Sequence, residues 1–113
     1  MRMPQSRRRL GINGPSPSVI EARPFDADLG PATATGFLFI VDPVEDSFVC
    51  GTLSVLGLED VSFEARLPGP PVRINVLKVT VVISFDPVLR AFTGSAEQPG
   101  VAPQQPTTIV NLA

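Results

Sequence analysis

The chain has no histidine, tyrosine or tryptophan and only one cysteine in 113 residues. Without imidazole, Ser-His-Asp and Cys-His nucleophiles, histidine proton shuttles and histidine metal ligands are all excluded. A single thiol can neither close an internal disulfide nor build a thiolate zinc site, so a disulfide-stapled secreted scaffold is excluded and a reducing setting is expected. No apolar run approaches the roughly 18 to 20 residues that a membrane-spanning helix needs. The opening stretch MRMPQSRRRLGINGPSPS begins basic, as a signal peptide does. Gly11, Asn13, Gly14, Pro15 and Pro17 stand where its apolar segment would have to be, so export by a standard signal is not expected. Composition assigns no compartment.

Charge is unevenly laid out. Residues 1 to 17 carry Arg2, Arg7, Arg8 and Arg9 and no acid, a charge of +4, while the rest holds five basic and eleven acidic side chains, −6, together the net −2 of the chain. A basic arm therefore precedes an acidic body. Residues 95 to 106, SAEQPGVAPQQP, contain three prolines and little that could be buried, which predicts an extended linker. The TTIVNLA that follows is short and apolar enough to be a terminal strand. Three regions result: a basic extended arm (1–17), a β domain (18–94), and a Pro-rich linker with a short terminal strand (95–113). A chain of this length can build one ordinary core and not two.

The body is rich in Val, Ile, Phe and Thr, interrupted by Pro and Gly at strand-like intervals, and lacks the i, i+3, i+4, i+7 spacing of a long amphipathic helix. Val61, Phe63, Ala65 and Leu67 alternate with Ser62, Glu64 and Arg66, the pattern of a strand with one buried and one wet face. Gly36 to Val41 is apolar on both faces, so it should lie centrally or under a second layer. Along Val72 to Phe85 the apolar parity switches after Val76, which predicts a β-bulge or a corner near Val76 to Lys78, with the strand passing between sheets. Leu67-Pro68-Gly69-Pro70-Pro71 must be an exposed connection. Gly57 to Asp60 reads as a turn, and Pro24 to Thr35 as a longer loop. The expected fold is all-β: a small sandwich or partly open barrel of about six or seven strands, with extended N- and C-terminal arms.

A weak internal repeat relates Phe39 to Phe48 with Ile83 to Phe92, each holding an Asp-Pro-Val and each followed by a glycine, Gly51 or Gly94. Both copies predict strand, turn, strand. The Asp caps the turn backbone, the Pro supplies its φ, and flanking Phe residues pair across the hairpin.

Carboxylates are the only catalytic groups in any number, and no spacing sets two of them across a cleft as glycoside hydrolysis needs; an enzyme is not expected, and no cofactor is implied. Asp26-Ala27-Asp28 starts like a calcium loop, but no Gly follows at the sixth position and no Glu at the twelfth, so the motif fails and solvated acidic turns remain. The Arg7-Arg8-Arg9 run could neutralise phosphates, yet four charges are few and the acidic body opposes nucleic acid. Docking of the arm on an acidic neighbouring surface fits better. Cys50 is expected as a buried structural thiol on the parity of Phe48. The interior should be filled by side chains rather than by a lipid.

This layout implies a non-enzymatic structural protein of a large assembly, of the decoration, cement or minor capsid type found in virus and phage particles. It would be a homo-oligomer or one subunit among neighbouring proteins, clamped through Arg2, Arg7, Arg8 and Arg9 of the first arm and Ile109, Val110 and Leu112 of the last strand. Deleting residues 1–17 or 96–113 should then leave the body folded. The alternatives are a free-standing β-sandwich module binding a protein, glycan or lipid, and a viral accessory protein.

Overall fold

The computed structural model describes residues 18–67 and 69–113. The described chain is all-β, with two four-stranded antiparallel sheets and no closed barrel. The first sheet contains β1 (Ser18–Asp28), β2 (Ala32–Asp42), β3 (Phe48–Val55) and β4 (Glu59–Arg66). The second contains β5 (Val72–Val76), β6 (Val79–Asp86), β7 (Ala91–Glu97) and β8 (Thr107–Asn111). In both, spatial order follows chain order, so the molecule is two successive meanders. Their inward faces share one core. Leu38, Val49, Leu53 and Phe63 of the first sheet join Val79, Val81, Ile83 and Phe92 of the second in a single buried cluster, giving a sandwich-like arrangement.

Several expectations hold at the level of single strands. Phe63 and Ala65 are buried while Ser62, Glu64 and Arg66 are exposed, as period-2 alternation requires. β2, apolar on both faces, is an interior strand of its sheet. Gly69, Pro70 and Pro71 are exposed in the link from the first sheet to the second. The repeated segments form the central hairpin of each sheet. Phe39 pairs with Phe48 at 5.4 Å between ring centroids, and Phe85 with Phe92 at 5.3 Å.

The two turns are not equivalent. The Asp86 carboxylate accepts hydrogen bonds from the N–H groups of Val88 and Leu89, at 2.9 and 3.2 Å. The first hairpin instead passes through a 3₁₀ turn at Val44–Asp46 that has no side-chain cap. There the buried Ser47 hydroxyl accepts the N–H of Val41, at 3.1 Å.

Other expectations are corrected. Among the described residues strands number eight rather than six or seven. Pro24 to Asp28 is strand and not loop: β1 lies at a sheet edge, where a proline's missing N–H costs no ladder bond, and only Leu29–Pro31 connects it to β2. The parity switch near Val76 is not a bulge or a change of sheet. β5 and β6 are neighbours in one sheet, with Val76 opposite Val79. Leu77 and Lys78 between them have φ of 52° and 65°, the left-handed pair of a two-residue hairpin. A two-residue loop shifts parity by one while keeping both strands' apolar residues on the same side. The turn after β3 is Leu56–Leu58, and β4 begins at Glu59 rather than after Asp60. β7 runs through Ser95 to Glu97, which the sequence placed in the linker.

Candidate functional site

Cross-strand register fixes what the outward face of the first sheet presents. Four rows cross it: Ala22–Phe39–Phe48–Arg66, Pro24–Phe37–Cys50–Glu64, Asp26–Thr35–Thr52–Ser62 and Asp28–Thr33–Ser54–Asp60. One half is apolar and aromatic, the other hydroxyl and carboxylate. Phe37 and Phe39 stand 6.1 Å apart between ring centroids, Phe39 and Phe48 5.4 Å, and the Arg66 guanidinium lies 5.3 Å from the Phe48 centroid. The stripe is thus covered at one end by a cation over a ring and open at the other, where Phe37 is 46% exposed.

A trough runs between the second and third rows, lined by Phe37, Cys50, Asp26, Thr35, Thr52 and Ser62. Its floor is made by two glycines. Gly36 and Gly51 face each other across β2 and β3 in an approach too close for any side chain. A Cβ on Gly51 would fall 2.0 Å from the Thr35 carbonyl oxygen, and one on Gly36 2.2 Å from that of Cys50. Phe25 and Phe63 end the same register row on β1 and β4. Their backbones are three strand spacings apart, about 14 Å, yet their rings come within 6.2 Å on the buried side. The two rings therefore reach over the glycines and fill the core behind the trough.

The outward face of the second sheet differs. Its rows Arg73–Val82–Ser95, Asn75–Thr80–Glu97, Ser84–Thr93–Thr108 and Asp86–Ala91–Asn111 are polar but for Val82 and Ala91, with Thr93 and Ala91 buried, and carry no aromatic ring.

Electrostatically, the first sheet's outward face holds Asp26, Asp28, Asp60 and Glu64 against one cation, Arg66. Arg66 pairs with Glu64 at 3.1 Å, and Asp28 accepts the N–H of Gly30 at 2.8 Å. Cys50 is half-buried beside Phe37 rather than in the core. Its pKa is raised, first by burial and then by the neighbouring Glu64 carboxylate, so it is a poor nucleophile at neutral pH. Among the described residues no group of three or more acidic or cysteine side chains is gathered as a metal site would need.

Arg2, Arg7, Arg8 and Arg9 lie outside the described residues. Ile109 and Val110 sit in β8, with Leu112 just beyond, and all three are buried in this chain's own core. β8 pairs with β7, and the Arg23 guanidinium donates to the carbonyl oxygens of Asn111 and Ala113. These residues are therefore apart from the aromatic face. Comparison with known proteins finds no matching family model, no matching curated protein and no matching solved structure. The face of Phe37 and Cys50 was not singled out from sequence. Its signal was the two-sided apolarity of Gly36 to Val41, which implied a cover for both faces.

Proposed function

We propose that the protein is a non-enzymatic structural subunit of a larger assembly, of the decoration or cement kind, holding neighbouring proteins through the outward face of its first sheet and through its basic N-terminal segment. The observation that carries this reading is the contrast between the two outward faces. A small β body that keeps one face polar and leaves an aromatic stripe with a half-exposed Phe37 on the other has the composition of a contact surface. The acid-rich body and the cationic segment before it are complementary in charge, which favours ordered contact between copies over contact with nucleic acid.

Native mass spectrometry of the full chain at micromolar concentration tests this. A discrete oligomer without retained ligand, reduced to monomer by Phe37→Ser, is the expected result. A monomer carrying a stoichiometric extra mass overturns it in favour of a free-standing binding module. That second reading has its own support: Phe37 stands beside Asp26, Thr35, Thr52 and Ser62 in the trough, an apolar ring next to hydroxyls and a carboxylate that would suit a glycan.

A further inference from the structure

Resting on the assembly reading, we propose that the outward face of the first sheet is the acceptor for the arginine-bearing segment, residues 1 to 17, of a second copy of this protein.

Three observations converge on that occupant. The first is charge. The face carries Asp26, Asp28, Asp60 and Glu64 and, among the described residues, the single cation Arg66 at one end, whereas residues 1 to 17 contain Arg2, Arg7, Arg8 and Arg9 and no acid. The second is chemistry already displayed on the face. Arg66 lies over Phe48 at 5.3 Å and is held there beside Glu64. Phe37, two places along the same stripe, offers a comparable ring with no cation over it among the described residues, Glu64 in its own row and Asp26 in the next. A guanidinium stacked on Phe37 and paired with Asp26 would repeat the Arg66 arrangement, the kind of site that favours arginine over lysine. The third is reach. The described chain enters β1 at Ser18, opposite Asp42, at the aromatic end of the face. Seventeen residues can extend to about 56 Å, while the four rows from Ala22 to Asp28 cover about 20 Å of strand. The segment of a neighbouring copy is therefore long enough to place its arginines over Phe37.

Cys50 supplies the readout, because it is the only thiol in the chain and stands directly across from Phe37. The experiment is the rate of Cys50 alkylation by a neutral maleimide in the full-length protein at fixed pH. Replacing Arg7, Arg8 and Arg9 by serine should raise the rate roughly fivefold or more, because the face is uncovered. Asp26→Asn combined with Asp60→Asn should act in the same direction and add little in the triple arginine variant, whereas a direct effect of these carboxylates on the thiol would add in full. About 1 M salt should accelerate the wild type more than the triple arginine variant, in which only the effect of Glu64 on the thiol is left to screen. Losing nearby cations without uncovering the thiol would instead disfavour the thiolate and slow the reaction, so the direction separates the two effects.

The rate should fall as protein concentration rises, because the segment comes from a second copy; protection that does not change on dilution assigns the segment to its own chain and overturns the proposal. An unchanged or slower rate in the triple variant overturns it, and if native mass spectrometry still shows an oligomer, the assembly reading survives that failure. Arginine-dependent protection in a strictly monomeric protein overturns both the assembly reading and the docking between copies. Protection by an added neutral oligosaccharide, with none from the arginines, overturns the proposal and gives the face to a glycan.

Discussion

Gly51 and Gly57 sit six residues apart in the chain and would respond to the same substitution in different ways. At Gly51 a Cβ meets backbone, 2.0 Å from the Thr35 carbonyl oxygen, and backbone cannot step aside without breaking the β2–β3 ladder. Gly51→Ala should therefore cost about 3 kcal/mol or more, or prevent folding. Gly57 has φ of +67° and nothing within 4 Å of the added carbon, so Gly57→Ala should cost only the left-handed penalty, about 1 to 2 kcal/mol. Urea denaturation of both variants checks this, and equal losses would mean that the close approach is not maintained in solution. Cys50 offers a second test. Because burial and then Glu64 raise its pKa, its alkylation rate should climb at higher pH than that of an unstructured thiol. Glu64→Gln should bring the midpoint part of the way down, since the larger cause remains. The linkage has a definite sign. A thiol that keeps its proton longer in the folded state contributes nothing below the unfolded pKa and lowers stability as pH rises through and above it. At this scale the sequence was partly legible: the Phe39–Phe48 and Phe85–Phe92 pairs followed from the repeat, whereas Cys50 was expected in the core. Parity alone says which residues share a face and not which face is inward, and the aromatic residues sharing its face made the outward side of β2 and β3 look like the buried one.

Hairpins show what local signals can and cannot convey. The Asp86-Pro87 turn forms as its residues dictate, with the carboxylate accepting two backbone N–H groups. The Asp42-Pro43 turn, identical in its first three residues, goes a different way because the buried Ser47 hydroxyl takes the Val41 N–H and a 3₁₀ turn completes the corner. The β5–β6 turn was missed because it lacks the Asn-Gly or Asp-Gly that marks a two-residue hairpin. Leu77 and Lys78 hold left-handed backbone there without the residues that prefer it, and the register of Val76 with Val79 and the packing of Ile74 and Val81 behind it impose the geometry. That local conflict predicts a gain. Replacing Leu77 by Asn and Lys78 by Gly should stabilise the protein by about 1 kcal/mol, because both new residues tolerate positive φ. Both side chains are exposed, so little packing is lost. A raised thermal midpoint is the expected outcome, and a lowered one would show that the Leu77 side chain contributes more than its exposure implies.

At the scale of the whole molecule, the two meanders close against each other at their edges, and the last strand belongs to that closure. The sequence suggests a terminal strand that is detachable from the body, since a proline-rich stretch before a short apolar segment resembles a linker with an appendage. Tertiary packing decides otherwise. Ile109, Val110 and Leu112 are buried; Gly94 is a glycine where a Cβ would lie 2.8 Å from Ile109 Cδ1 and 3.2 Å from Leu29 Cδ1; and the Leu112 N–H donates to the Arg90 carbonyl oxygen at 2.9 Å. Across the sandwich edge, Arg23 of β1 reaches the same strand while its own charge is held by Glu21 at 2.8 Å. That hydrogen bond also lowers the Glu21 pKa, so the pair's contribution is present above the usual carboxylate range and is lost as pH falls through the lowered value. Ending the chain after Pro106 should thus not release an independent arm. It should strip three apolar side chains from the core, each worth about 2 to 5 kcal/mol on truncation, and leave the β7 edge unpaired, a loss comparable with the whole stability of a domain this size, about 5 to 15 kcal/mol. The shortened protein is expected to have no cooperative thermal transition, and a synthetic Thr107–Ala113 peptide should restore one by adding back as a strand. A shortened protein that melts at the full-length midpoint would instead mean that β8 is dispensable to the body and free to serve a neighbour.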